Sequence, residues 1–518
     1  MVFVLAPATI VLLMMVLVAV AAQETVRRRR KQQQFDQTSS SKPKRSDDLE
    51  IARPPLPPGP TPIPFLGNLY TLSKYSDCPY EGFSALGRKY GPVYSLSMGS
   101  NPAVVVGTYE TIKEVLITKA NKFDARPDIL RFRLYFGGNR QHSLALCDWS
   151  EHQKRRITLA RSFLMFRGND DCLKIFEDNV ISEMPTLTNE IDMVLNKPIN
   201  IKELLSYCAM NIFCGYMCSK KFEYKEETFQ QLVKNFDFIF NDINNGHPTD
   251  FLPSLVPFFG SYLKKINSTT ASIREFILDN ICREKYNVLK SDPTKISDLV
   301  DACFSNLLVE NAEEKWDWQT ILYIVEDLLG GSSAIGNIVM RFLGYTLQHP
   351  DVLQCLQSEI DSKIGRERAP TLNDRHDMLY SQAVLYEVLR LTSSPIVPHV
   401  STEDTTIGDY YVEKGSIIFV NNFEMNSSPD LWDEPQKFKP ERFLVDGSLK
   451  KPAHFIPFST GKRACVGSKV VTNITFIVIT TLLQRYNIAI PEGTKPELPR
   501  GKISLDWDAF DLIFTQRK

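Results

Sequence analysis

The stretch Phe458-Ser-Thr-Gly461-Lys-Arg463-Ala-Cys465-Val-Gly467 constrains the fold of this chain more than any other part of the sequence. We predict that Cys465 is the axial ligand of a haem iron, because a thiolate is among the few protein groups that hold haem iron. Gly461 allows a tight turn and Gly467 allows close backbone approach, since glycine lacks a Cβ atom. Arg463 is suited to a charge-assisted bond to a haem propionate, and Phe458 to packing over the sulfur and excluding water.

The residues that follow this stretch predict a buried helix. Val470, Val471 and the run from Ile474 to Ile479 are mostly apolar. Cys465 would then lie at a helix N-terminus, which favours a thiolate over a thiol. A lone cysteine is more often a small buried hydrophobic residue than a ligand, but the fixed spacing of the five residues favours the haem interpretation.

Composition excludes several other classes of protein. The 518 residues carry a net charge of −1, so no overall field attracts nucleic acid. An apolar content of 43% is enough for a large core. The ten cysteines form no CxxC pair, which argues against structural zinc, and their sparse spacing argues against a disulfide-stapled secreted fold.

The N-terminal region predicts a membrane anchor. Val2 to Ala22 carries no charge and is long enough to span a bilayer, and the basic run from Arg27 to Lys31 would hold its far side in the cytoplasm. We therefore predict a transmembrane signal-anchor over residues 1–22 and a basic, polar linker over residues 23–55. The alternative is a cleavable signal peptide, since the small residues Ala19-Val20-Ala21 fit a cleavage site.

The cysteine stretch also matches FxxGxRxCxG, the signature of the cytochrome P-450 family, at every fixed position. The resemblance extends to a proline-rich hinge at Leu56-Pro-Pro-Gly59-Pro60, to the ExxR pair Glu387 and Arg390, and to the PERF motif around Arg442. It implies a mainly α fold with small β-sheets, a single haem domain over residues 56–518, and haem b as the cofactor. It also implies that Glu387, Arg390 and Arg442 form a buried ionic triad.

Local patterns place the secondary structure around these motifs. Residues 93–106 predict a β-hairpin, the run from Trp316 to Gln348 predicts one long helix, and residues 407–420 predict strands, as residues 502–514 do more loosely. The aromatic segment from Phe236 to Phe259 lies where the family has a substrate roof, and core packing is the alternative.

The resemblance assigns further residues to the haem propionates. Trp149 matches a family tryptophan that is followed one helical turn later by an arginine, but Gln153 stands at that position here. Either Arg155 or Lys154 would take the role. His399, in a segment that the family places beside the haem, would donate to the other propionate.

The match fails in the long helix that the family places over the haem. The family's acid–alcohol pair, which supplies protons during oxygen activation, is replaced by Ser333 and Ala334 in the string Gly330-Gly331-Ser332-Ser333-Ala334. Alanine cannot donate a hydrogen bond from its side chain. We expect Ser333 and Asn337, which are four residues apart, to hold an ordered water that delivers the proton. Asp327 is about two helical turns, roughly 10 Å, from Ala334.

The string from Gly330 to Asn337, together with the Cys-Asp-Trp149-Ser context, resembles the insect Spook group of the Halloween P-450s. That resemblance implies a sterol monooxygenase of early ecdysteroid biosynthesis in the endoplasmic reticulum membrane. It would use O2, and NADPH would supply electrons through NADPH–cytochrome P-450 reductase. Lys462 and Lys469 are candidates to bind the acidic face of this reductase. Two alternatives stay open: a haem-thiolate enzyme that rearranges or dehydrates its substrate, and a non-catalytic haem or sterol binder.

Overall fold

The computed structural model describes residues 54–75, 78–166, 170–308 and 316–517. The predicted anchor at 1–22 lies outside the described residues, as does nearly all of the linker at 23–55. No helix in the described ranges combines the length and the apolar character that a bilayer crossing needs.

The described chain is mainly helical, as the family resemblance implies. Its α-helices are α1 Leu69–Ser73, α2 Pro79–Tyr90, α3 Tyr109–Lys113, α4 Leu130–Tyr135, α5 Glu151–Leu164, α6 Asp170–Asp192, α7 Lys202–Cys218, α8 Glu227–Asn244, α9 Gly260–Ile277, α10 Arg283–Ser291, α11 Leu299–Leu308, α12 Trp318–Gly330, α13 Ser333–Leu347, α14 Pro350–Lys363, α15 Leu379–Thr392, α16 Asn422–Ser427 and α17 Ser468–Arg485.

The strands are short. They are β1 Val93–Met98, β2 Asn101–Val106, β3 Pro198–Ile199, β4 His399–Val400, β5 Thr405–Ile407, β6 Tyr410–Val412, β7 Ile417–Val420, β8 Leu444–Val445, β9 Ser448–Leu449, β10 Tyr486–Ala489 and β11 Leu512–Gln516. The largest sheet has the order β1-β2-β7-β4, and a second sheet has the order β10-β11-β3.

The predicted hairpin is confirmed, because β1 and β2 pair antiparallel with Val93 opposite Val106. The strands expected over residues 407–420 are confirmed as β5, β6 and β7. Of residues 502–514, only the part in β11 is a strand. The preceding residues are held instead by side chains of α13, where Arg341 donates to the carbonyl groups of Lys502 at 2.7 Å and of Ile503 at 2.9 Å.

The core lies around three helices that are apolar on most faces, α7, α13 and α17. Such a helix is stable only when other elements cover it on every side. Accordingly α13 packs against α7, α15 and α17. This arrangement fixes α17, which follows the cysteine stretch, relative to α13.

The prediction of one continuous helix from Trp316 to Gln348 is wrong, because the helix is interrupted between α12 and α13. At the interruption, Gly331 and Ser332 donate to carbonyl groups three residues earlier, at 3.1 and 3.0 Å, and Ala334 does the same at 3.2 Å. Hydrogen bonds of this i→i−3 type tighten the helix locally. The interruption falls at the two glycines, which lower helix stability by about 1 kcal/mol each relative to alanine.

Candidate haem site

The cysteine stretch forms a closed loop that leads into α17. The Cys465 amide donates to the Phe458 carbonyl at 3.0 Å, and Gly467 is the residue before the first turn of α17. Gly461 has a φ of +74°, and a Cβ atom on it would lie 2.1 Å from the Leu116 carbonyl oxygen. Both the backbone conformation and the space therefore require glycine at this position.

The Cys465 side chain is accessible to solvent, yet protein atoms surround it closely enough that burial raises the pKa of its thiol. The accessible surface therefore faces an interior space of the protein. The Gly467 N–H opposes this shift by hydrogen bonding to the sulfur. The N–H at the helix start therefore favours the thiolate, as expected from the sequence, but burial outweighs it. A bound metal ion would add charge that favours the thiolate.

Arg463 and Trp149, both predicted at the haem, lie together in the structure. The Arg463 guanidinium is centred 5.8 Å from the centroid of the Trp149 ring, and Lys462 Nζ lies 5.0 Å from the same centroid. Arg463 also donates to the carbonyl group of Cys147. The residues of the cysteine loop are therefore fixed against the segment that precedes α5.

Arg126 is a buried member of this site that sequence reasoning missed. Its Nη1 donates to the Val397 carbonyl at 2.7 Å and to the Pro398 carbonyl at 3.1 Å. Burial, followed by the charge of Arg463, lowers its pKa well below the usual value. The signal in the sequence is the isolated string Phe123-Asp-Ala-Arg126-Pro, which has no periodicity that would identify a buried arginine.

His399 lies at the same place, at the start of β4. Its Nδ1 is 2.6 Å from the Phe123 carbonyl oxygen, which makes Nδ1 the protonated nitrogen. Burial, Arg126 and Arg463 together lower its pKa well below the usual range. The imidazole is therefore neutral, and its Nε2 carries a lone pair. Nε2 would donate to a propionate only after it takes up a proton, which the negative charge of that propionate would favour.

The structure does not place Arg155 or Lys154 with these buried groups. Both side chains are exposed, and Lys154 pairs with Glu151 at 3.2 Å. Gln153 and Arg156 are the buried residues of this run. The Arg156 guanidinium donates to backbone carbonyl groups of the segment before α5, at 2.9 and 3.1 Å. Propionate binding by Arg155 or Lys154 stays a prediction, and Arg126 is a further buried candidate for that role.

The buried polar groups fit the acidic edge of a haem. Arg126 and His399 lie close to Arg463, and burial and this positive charge act on their pKa values in the same direction. Within the described residues, His399 Nε2 and Arg463 Nε are buried without a hydrogen-bond partner. A buried cation such as Arg463 needs an anion, as does His399 once it is protonated on both nitrogens, and the two propionates of a haem would supply it.

The predicted ionic triad is present and buried. Arg390 contacts the Glu387 carboxylate at 2.7 and 2.8 Å, and Arg442 Nε is 3.1 Å from it. Glu387 and Arg390 have no exposed surface. Arg390 also donates to the carbonyl groups of Asn426 at 2.6 Å and of Pro435 at 2.9 Å. The triad therefore ties α15 to the two segments that precede the cysteine loop in the chain.

Comparison with known proteins decides the family. The model of the family described as cytochrome P-450 matches residues 57–512. The chain belongs to the cytochrome P-450 family. This P-450 is a haem-dependent monooxygenase. It is 39% identical over 488 residues to cytochrome P-450 307a1 of Drosophila melanogaster, with 89% of each chain covered.

Two more distant relatives cover a similar part of this P-450. Steroid 17-alpha-hydroxylase/17,20 lyase of Peromyscus leucopus is 29% identical over 479 residues, with 88% of this chain and 91% of the relative covered. Cytochrome P-450 1A1 of Pleuronectes platessa is 27% identical over 458 residues, with 85% and 87% covered.

The first turns of α13, where the sequence departs from the family pattern, are tied to other parts of the fold. Asn337 is fully buried, its Nδ2 donates to the Ser333 carbonyl at 2.7 Å, and its Oδ1 accepts from the Leu505 N–H at 2.7 Å. Its side chain also bonds to the Asp237 carboxylate, so the amide has protein partners on both ends. Ala334 is half-buried and lies at the interruption between α12 and α13.

The carboxylate nearest in sequence is also occupied. Asp327 accepts from the Ser143 hydroxyl at 2.8 Å and from the Leu144 N–H. Burial raises its pKa. These bonds direct the carboxylate to the segment before α5, so Asp327 does not take the place of the missing acid.

Proposed function

We propose that this P-450 is a membrane-anchored monooxygenase that oxidises a sterol in an early step of ecdysteroid biosynthesis. The observation that carries the proposal is the string from Gly330 to Asn337, with its resemblance to the insect Spook group. The 39% identity to an insect P-450 supports it, against 27% to a fish P-450. A relative whose name is that of a steroid hydroxylase, at 29% identity, is consistent with a sterol substrate.

Each group of the site has a separate role in this function. When bound, the haem with its thiolate ligand supplies oxygen activation and the insertion of one oxygen atom into a C–H bond. Cys465 would hold the iron, and Phe458 would shield the sulfur from water. Arg463, Arg126 and His399 would hold the propionates, with Trp149 packed beside them.

The distal positions Ser333, Ala334 and Asn337 set the surroundings of the reacting substrate in this proposal. Ala334 offers no hydroxyl group, and Asn337 is bonded to backbone groups. Protons would therefore reach the reaction through solvent or through the Ser333 hydroxyl. A water held by Ser333 and Asn337 remains our proposal for proton delivery, in which the Asn337 amide would contact the water beside its bonds to Ser333 and Leu505.

The face beside the cysteine loop is suited to an acidic reductase. A cleft of about 570 Å³ next to Phe458 is lined by basic side chains, namely Arg375, His376, Lys451 and Lys469. Lys462, the other docking candidate, is paired with Asp124 at 2.5 Å. Both lysines stay candidates, and we assign docking of NADPH–cytochrome P-450 reductase to the basic face that carries Lys462 and Lys469.

Exposed apolar side chains support a location at the endoplasmic reticulum membrane. Leu56 is 72% exposed, Tyr70 is 58% exposed and Phe258 is 70% exposed. Backbone contacts connect the segments that carry them: Gly67 pairs with Met98 in β1, and the carbonyl oxygen of Phe251 approaches the tip of the hairpin. A lipid surface is the partner that such side chains fit.

Expression of the full chain with reductase tests the function. The expected result is a carbon monoxide difference spectrum of the thiolate type and conversion of a dehydrocholesterol-type sterol that requires NADPH and O2. The Cys465→Ala variant, which lacks the ligand, is the control. A thiolate spectrum without conversion of any sterol would contradict the proposed substrate but leave the haem site intact.

A second function is favoured by one observation, the replacement of the family's alcohol by Ala334. The enzyme would then rearrange or dehydrate its substrate without the usual proton supply. Conversion that proceeds in the absence of NADPH and reductase would support this second function. Strict dependence on both would exclude it.

A further inference from the structure

A chain of buried polar contacts connects the first turn of α13 to two other parts of the fold. Lys202, the first residue of α7, has no exposed surface, and its Nζ lies 3.1 Å from the Asp237 carboxylate in α8. The same Nζ donates to the Leu505 carbonyl at 2.7 Å. Leu505 in turn donates its N–H to Asn337, which donates to the Ser333 carbonyl, each at 2.7 Å.

The Leu505 backbone is the centre of this network, because its carbonyl group and its N–H are both used. The C-terminal segment is fixed at a further point, where Asn200 donates to the Trp507 carbonyl at 2.9 Å. Lys202 Nζ also lies 5.3 Å from the centroid of the Trp507 ring. The segment from Leu505 to Trp507 is therefore held between α7 and α13.

The ionic pair in this network is costly to bury. Desolvation lowers the pKa of Lys202 and raises that of Asp237, and each charge opposes the shift of the other. Removing one partner would leave an unpaired buried charge. A buried pair that holds backbone groups in place is more often a device for specifying one arrangement than a source of stability.

The network ends at the place where this chain lacks the family's acid–alcohol pair. The turn at Ser333 follows the interruption after α12, so the α12 hydrogen-bond ladder does not continue through it without a break. Phe236, next to Asp237 in α8, lies against the other side of the interruption, 3.4 Å from where a Cβ of Gly330 would be. Side chains from outside the helix therefore decide where this turn lies.

We propose that Lys202, Asp237 and Asn337 are positioning residues that fix the first turn of α13 and thereby determine how much of the NADPH consumed yields oxidised product. Asp237 acts through Lys202 and Leu505 and through its bond to the Asn337 side chain, and Asn337 acts directly on Ser333. The role rests on the monooxygenase activity of the proposed function, but it does not depend on which sterol is the substrate.

The test uses the full-length holoenzyme with reductase and compares the double variant K202M/D237N with K285M/D298N/D301N. The control removes another ionic cluster, in which Lys285 of α10 pairs with Asp298 and Asp301, and it leaves no buried charge without a partner. Two quantities are measured: hydrogen peroxide released per NADPH oxidised in the presence of the sterol, and the electron paramagnetic resonance spectrum of the ferric protein without sterol.

We expect K202M/D237N to raise peroxide release by about fivefold, the factor that one net hydrogen bond is worth, and to shift the ferric spectrum. The control should change neither quantity. Asn337→Ala breaks the network without leaving a charge, so it remains informative if the double variant fails to fold. It should give the same phenotype, and combining it with K202M/D237N should add little.

Unchanged coupling and an unchanged ferric spectrum in both network variants would overturn the proposal. So would a change in sterol affinity alone, since Asp237 would then be only a wall of the substrate pocket. If the wild-type protein oxidises no sterol, the proposed substrate fails, and the ferric spectrum of the variants still decides whether the network positions α13.

Discussion

The Arg463 guanidinium lies close enough to Arg126 to help lower the pKa of that buried arginine. The Arg126 Nη1 donates to the backbone carbonyl groups of Val397 and Pro398. Two neighbouring cations in a region of low dielectric constant repel each other strongly. Their proximity is stabilised when an anion binds between them, and a haem propionate would be that anion.

Replacing Arg126 by Gln should therefore weaken haem binding. A hydrogen bond to a charged group contributes about 1.5–3 kcal/mol, which corresponds to roughly 10- to 100-fold in affinity. The measurement is the ratio of Soret to protein absorbance after purification, together with the rate of haem transfer to apomyoglobin. Arg133→Gln is the control, because Arg133 is exposed and pairs with Asp128. Equal haem content in the two variants would contradict the role of Arg126.

Replacing Glu387 by Gln should destabilise the fold strongly. The change leaves Arg390 buried without its countercharge, and breaking a buried pair in this way costs about 3–5 kcal/mol. The expected result is a large loss of holoprotein yield and a lower midpoint of thermal denaturation. Glu434→Gln is the matched control, since its pair with Lys437 also has i,i+3 spacing but is exposed and contributes little to stability. Similar midpoints for both variants would show that the triad is not important for stability.

A second buried cluster connects α4 to the segment from Asp242 to Asp250. Arg131 is 2% exposed and contacts Asp250 at 2.6 and 2.8 Å and Asp242 at 3.0 Å. Tyr135 also donates to Asp242, at 2.5 Å. The C-terminal end of α8 and the following loop are therefore fixed to the segment before α5.

Arg131→Met should release this segment, because it leaves two carboxylates without their cation. We expect a loss of about 3–5 kcal/mol in local stability. Amide hydrogen exchange should therefore be faster in peptides covering residues 245–260, and the sterol should bind at a faster rate. Arg133→Met is the control. Arg133 lies two residues after Arg131 in the same helix, and its replacement removes only an exposed ion pair with Asp128. If amide hydrogens of this segment exchange at the same rate in the two variants, the Arg131 cluster does not fix the segment.

Sequence reasoning succeeded where one residue type alone satisfies a local requirement. The conformation of Gly461 and the i,i+3 pair of Glu387 and Arg390 belong to this group, whereas the third member of the triad, Arg442, was implied by the family resemblance and lies 55 residues from Glu387. It failed where the environment is made by distant segments. Arg126 becomes buried only because residues 397–398 fold over it.

The interruption between α12 and α13 was not predicted for a different reason. Apolar periodicity continues through Gly330 and Gly331, so the pattern favoured one helix. The structure shows that hydrogen bonds change to i→i−3 at this point. The fate of the Asn337 amide was equally inaccessible, since its partner Leu505 lies in a segment without regular secondary structure that the sequence only loosely assigned to a strand.

Glu326 gives a prediction about pH. It lies in α12, and burial raises its pKa to about 8, with a further contribution from Asp327, although Arg274 is 3.2 Å away and opposes the shift. Between the usual pKa of a glutamate and 8, the folded protein keeps a proton on Glu326 that the unfolded chain has released. The stability contributed by this proton is therefore lost as the pH rises through that window, by up to about 1.4 kcal/mol per pH unit.

Glu326→Gln should remove this loss, because glutamine can still accept from Arg274 and does not ionise. The half-life of the thiolate-type carbon monoxide spectrum at elevated temperature, measured at pH 6 and pH 8, provides the test. We expect the variant to outlast the wild-type protein more at pH 8 than at pH 6. Glu275, an exposed neighbour of Arg274, provides the control. The ratio of the Glu275→Gln half-life to the wild-type half-life should be the same at pH 6 and at pH 8. A ratio for Glu326→Gln that does not change with pH would mean that Glu326 is ionised in the folded protein, held as a carboxylate by Arg274.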